Sequence, residues 1–95
     1  MKKFDISKCE DLFKAIIAIK TTEDCKKFLE DVCTIKELQD ISQRLMVAKL
    51  LAEGKNYQDI SKETGASATT ISRVNRCLTY GNGGYEIALE ALKNE

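Results

Sequence analysis

From Tyr57 to Arg76 the sequence reads Tyr-Gln-Asp-Ile-Ser-Lys-Glu-Thr-Gly-Ala-Ser-Ala-Thr-Thr-Ile-Ser-Arg-Val-Asn-Arg, and the residue types and their spacing suit contact with nucleic acid. If residues from Ala68 to about Leu78 form a helix, Ile71, Val74 and Leu78 fall on one apolar face. The opposite face then carries Ala68, Thr69, Ser72, Arg73 and Arg76, which are small, hydroxylated or cationic. Such a face can enter a major groove, touching thymine methyls and base edges while arginines reach phosphates or guanine. No carboxylate occurs anywhere in residues 64–85. Residues 43–80 hold six basic side chains against three acidic ones, in a chain whose fifteen basic and fifteen acidic residues cancel. The distribution of charge, more than its total, provides an electrostatic footprint for phosphates.

Other chemistries find no support. The chain has no His, the commonest general base and a frequent metal ligand. It has no G-x-S-x-G and no phosphate-cradling glycine loop, and Gly81 to Gly84 lacks the Lys and strand of a P-loop. The carboxylates Glu10, Asp11, Asp24, Glu30 and Asp31 alternate with Lys8, Lys14, Lys26 and Lys27, as on solvated helix faces. No catalytic residue is assigned, and an enzyme is not expected. Cys9, Cys25, Cys33 and Cys77 form no C-x-x-C pair, so they are read as reduced, buried thiols and no metal site is assigned.

A face of this kind needs elements that hold it. Two short helices meeting at a steep angle need a permissive residue in the turn, and Gly65 supplies it. Ile60 is the apolar foot of the first helix, and the pair spans about 56–78 as a helix-turn-helix. Ser61 is the imperfect position, where a buried alanine would pack more comfortably. Before this motif, Ser7 with Glu10 reads as a capping box ahead of Leu12, Phe13, Ile16 and Ile17. Thr21 or Thr22 caps a second helix, and Thr34 with Glu37 opens the longest one, ending near Gly54. After it, a last helix runs from about Tyr85 to Lys93, with Ala88, Leu89 and Leu92 inward.

The expected fold is all-α: about six helices in a single domain over residues 1–95. Toward its end the long helix is apolar around too much of its circumference for one stripe, so a second copy of the chain is expected to cover it. Phe4, Phe13, Phe28, Tyr57, Tyr80 and Tyr85 are expected to be core or interface aromatics. No apolar run exceeds the five residues from Ala15 to Ile19, so no membrane association is expected and a cytoplasmic protein is.

The chain resembles the Trp repressor superfamily, most closely its YerC/YecD branch of TrpR-like proteins. The resemblance rests on Gln43-Arg44, Gly54, Tyr57, Thr64-Gly65-Ala66-Ser67, the run from Thr69 to Arg76, and Tyr80-Gly81. It covers about 28–85, with the outer helices matching in kind. It implies an interlocked homodimer that binds double-stranded DNA and regulates transcription, as a repressor, each copy placing its second motif helix in a major groove. By matching position, Ala68, Thr69 and Ser72 would face bases, Gln58 and Lys62 would assist, and Arg44 and Arg73 would lie near phosphates. With Ser67 and Arg76, these are the candidate DNA contacts.

The resemblance also implies an effector pocket at Thr34, Arg44, Thr70 and Arg73. Here Val74 stands where the tryptophan-binding repressor has a glycine, and Cys77 where it has a serine. A branched side chain at 74 would intrude on an indole ring. Tryptophan is therefore not the expected corepressor, no cofactor is assigned, and no small-molecule effector is identified. The competing reading is a helical protein-interaction module that kept the fold without DNA binding, motivated by the zero net charge and the acidic final segment.

Overall fold

The computed structural model describes residues 4–94. After a 3-10 turn at Ile6–Cys9, the helices are α1 (Glu10–Ala18), α2 (Thr22–Val32), α3 (Ile35–Ala52), α4 (Tyr57–Thr64), α5 (Ala68–Tyr80) and α6 (Gly84–Lys93). No strand occurs among the described residues. The chain divides into two compact units, Met1–Leu38 and Gln39–Glu95.

Most helix starts follow from local side-chain chemistry. Thr21 accepts the Asp24 amide at 3.1 Å, Asn56 accepts that of Asp59 at 2.8 Å, and Ser67 accepts that of Thr70 at 3.2 Å. Each satisfies a backbone donor that the first helical turn cannot. Thr34 and Glu37 form the reciprocal box expected of them. The Thr34 amide donates to the Glu37 carboxylate at 2.8 Å, and the Glu37 amide to the Thr34 hydroxyl at 3.1 Å. The box expected at Ser7 and Glu10 does not form. Asp5 captures both the amide and the hydroxyl of Ser7, at 3.1 and 2.6 Å, and winds the 3-10 turn instead. These bonds hold the Asp5 carboxyl below its ordinary value. A carboxylate two residues upstream outcompetes a box that needs Ser7 free.

In the first unit the 3-10 turn packs on α1, and no described residue is buried. Leu12, Phe13, Ile16 and Ile17 lie exposed on α1. Cys9, Cys25 and Cys33 are free and half-buried, less enclosed than the sequence leads one to expect.

The second unit has its own core. Val47, Ala48 and Leu50 from α3, Ile60 from α4, Ala66 from the turn, and Ile71 and Val74 from α5 form one buried cluster. Leu51, Leu78, Tyr85 and Leu89 pack against it. Of the residues expected inward on α6, Leu89 meets this core, while Ala88 and Leu92 stay exposed in the single chain. α3 closes with Gly54 donating to Leu51 O and Lys55 to Leu50 O, the paired bonds of a Schellman turn. Ile60 is fully buried. Ile60→Ala is expected to cost about 2–5 kcal/mol, a large share of a small domain's stability. Urea titration followed by circular dichroism checks this; an unchanged midpoint would contradict the packing described.

Candidate nucleic-acid interface

α4 and α5 are joined by Gly65-Ala66-Ser67, and this turn is held from several sides. Gly65 has φ of 76°, a left-handed conformation in which a side chain is strained, and its amide donates to Ser61 O at 2.8 Å. Thr64 Oγ1 donates to Ile60 O at 2.7 Å and accepts the Ala66 amide at 3.1 Å. From α3, Gln43 Nε2 donates to Thr64 O at 3.1 Å. Ser61, the position at which packing alone favours alanine, donates its hydroxyl to Ala66 O at 2.8 Å. A buried carbonyl without that partner would carry a desolvation cost. The serine is thus a fastener across the turn rather than a packing defect.

α5 rises from this turn with Ile71 fully buried and Val74 2% exposed. Those anchors fix its rotation, so that Ala68, Thr69, Ser72, Arg73 and Arg76 all reach solvent. Thr69, Ser72, Arg73 and Arg76 line one shallow groove of about 590 Å³. Its other walls are Asn75, Thr79 and Tyr80, none of which the sequence singled out as a site residue. The signal for Tyr80 was present: continuing the stripe 69, 72, 73, 76 by four residues reaches it. Arg73 and Arg76 enter no ion pair among the described residues. The first turn of α5 carries no acid, so its free amides and the positive end of the helix dipole face solvent unopposed.

The remaining candidates are less concentrated. Gln58 and Lys62 are exposed and one turn apart on α4, sharing a face of that helix. Ser67 is exposed, but its hydroxyl already accepts the Thr70 amide and donates to Thr70 Oγ1 at 3.2 Å. Arg44 lies on α3 and lines a different groove of about 600 Å³, with Ile41, Leu45, Cys77 and Tyr85 among its walls. That groove and the one along α5 share no lining residue.

Each of the four residues expected around an effector has its own local setting. Thr34 caps α3 within the first unit, and half-buried Thr70 bonds Ser67. Arg73 belongs to the α5 groove and Arg44 to the other. Val74 directs its methyls into the core of the second unit. Cys77 is exposed, not buried. No group of three or more potential metal ligands comes together among the described residues, and no described helix is long and apolar enough to cross a membrane.

Comparison with known proteins places this geometry. A family model described as Trp repressor protein matches residues 7–93. Over 84 residues the chain is 52% identical to the uncharacterized protein YerC of Bacillus subtilis (strain 168), covering 88% of this chain and 81% of that relative. The crystal structure of a TrpR like protein from Eubacterium eligens ATCC 27750 matches with a TM-score of 0.86 at 50% identity, covering 92% of this chain and 90% of the other. A crystal structure from Staphylococcus aureus matches with a TM-score of 0.87 at 41% identity, covering 98% of each chain.

Proposed function

We propose a function from one premise: the chain belongs to the Trp repressor family. It is a sequence-specific DNA-binding regulator of transcription that works as a homodimer and represses by occupying its site. The observation that carries this reading is α5 itself, whose buried Ile71 and Val74 present an acid-free row of Thr69, Ser72, Arg73 and Arg76 to solvent. Small polar and cationic side chains on one exposed helix face suit the base edges and flanking phosphates of a major groove.

The homodimer has its own support. The first unit buries no described residue, yet Phe13 and Ile16 are each more than 40% exposed on one side of α1. Ordering these helices costs chain entropy that only burial of their apolar faces can offset. A second copy of the chain supplies that cover, and it doubles the phosphate contacts that one weakly positive motif makes.

Titration of a labelled duplex at 50 and 200 mM salt tests DNA binding. If the dimer neutralises about 6–10 phosphates, affinity falls roughly 10³- to 10⁵-fold between them. A folded dimer with no affinity at the lower salt would instead favour the protein-interaction module, which the zero net charge supports.

We further propose that tryptophan is not the corepressor, because valine at 74 leaves no glycine over which an indole could slide. Calorimetric titration with tryptophan is expected to give no saturable heat and no rise in Tm. A ligand at 100 times its Kd would stabilise by about 2.7 kcal/mol, an unmistakable shift that would reverse this expectation.

A further inference from the structure

Tyr80 ends α5 and is 82% exposed in the single chain, so it is no core aromatic. Its hydroxyl makes no hydrogen bond among the described residues. The side chain lines the same groove as Thr69, Ser72, Arg73 and Arg76, one turn beyond Arg76. The glycine after it keeps it there. A Cβ at Gly81 would overlap the carbonyl oxygen of Cys77, and the Gly81 amide closes onto that same oxygen at 2.8 Å. α5 ends at Tyr80 with Gly81 as its C-cap, and the ring lies exposed on the groove beyond Arg76.

We propose that Tyr80 is an anchoring contact to the deoxyribose-phosphate backbone, donating its phenolic hydroxyl to a phosphate oxygen outside the bases read by Thr69 and Ser72. This inference rests on the DNA-binding reading and names one more contact in it. At 1.5 Å of rise per residue, Tyr80 stands about 16 Å along the helix from Thr69. The major groove is roughly 12 Å wide, so a helix whose first turns meet base edges has its last turn at the groove wall, where a phosphate strand runs. The C-terminal end of a helix is the negative end of its dipole, and α5 carries no basic residue in its last turn. A phosphate near that end therefore needs a donor that reaches beyond the last turn, which the long Tyr80 side chain provides. Contacts of this kind fix the register of a protein on the duplex and are indifferent to sequence.

The test uses the full chain and a duplex selected by the wild-type protein. Tyr80→Phe removes only a hydroxyl from an exposed ring, so folding and the dimer are retained. Affinity is expected to fall about 100-fold or more, equally on selected and random duplexes, as for loss of a hydrogen bond to a charged group from both copies. The salt slope stays unchanged because no cation is lost, whereas loss of Arg73 from a phosphate lowers it. Replacing single phosphates with neutral methylphosphonates then locates the partner. One substitution beyond the base-read positions weakens the wild type and leaves Tyr80→Phe no weaker than before. Wild-type affinity in Tyr80→Phe, or a shift in its dimer dissociation constant instead, overturns the assignment and leaves the DNA reading standing. A wild-type chain that binds no duplex overturns both.

Discussion

Phe13→Asp combined with Ile16→Asp is expected to convert the proposed dimer into single chains and to remove measurable affinity for duplex DNA. Both residues lie on the exposed apolar side of α1, with Leu12 and Ile17 beside them. Each large apolar side chain withdrawn from water contributes about 1.5–3 kcal/mol, and every one is counted twice in a symmetric pair. A carboxylate at either position would have to enter that surface without a partner, which is far more costly than losing the contact. Since linked binding sites gain roughly 10²- to 10⁴-fold over separate ones, dissociation should cost DNA affinity by at least the lower figure. Sedimentation velocity and anisotropy titration on the same samples read both effects. The second unit carries its own core around Val47, Ile60 and Ile71, so a cooperative melting transition should survive the substitutions. A variant that stays dimeric would show that another surface joins the copies.

Arg73→Ala and Arg76→Ala are expected to lower duplex affinity by at least about 100-fold each, because a charge-assisted hydrogen bond is lost from both copies. Their fold should be intact, since both side chains are exposed and neither enters an ion pair among the described residues. The two arginines need not behave alike. If Arg73 touches phosphate, the loss is uniform across sequences and the salt slope falls by about one per copy. Thr69→Ala or Ser72→Ala should leave that slope alone and change which duplexes are preferred. Equal losses on every sequence for all of these variants would remove the assignment of base reading to α5.

Much of this arrangement is legible in the residues. Thr21, and Thr34 with Glu37, announce helix starts because a short polar side chain before an apolar stripe has one obvious use. Ile60, Ile71, Val74 and Leu78 announce the anchored side of the motif, so its opposite side is found by subtraction. The positions that sequence misreads are those where a side chain has two possible partners. Ser7 could cap a helix or serve Asp5, and the nearer carboxylate takes it. Ser61 looks like a gap in packing because its acceptor, Ala66 O, lies across a turn whose shape no periodicity describes. Tyr80 carries two readings by type, core or interface, and its 82% exposure in the single chain removes the first.

The most direct measurement is selection from a random pool of duplexes by the purified full-length chain at controlled low salt, followed by sequencing of the retained duplexes. Two identical reading helices on a two-fold axis should enrich an inverted repeat, with half-site centres about 34–36 Å apart or a multiple of that. This is the spacing general to dimeric helix-turn-helix proteins, Trp repressor included. Thr69→Ala or Ser72→Ala should change the enriched sequence, whereas Arg73→Ala should lower retention of every duplex alike. Retention of no sequence over another by a well-folded dimer, or of a single unrepeated site, would contradict the claim that paired α5 helices read DNA.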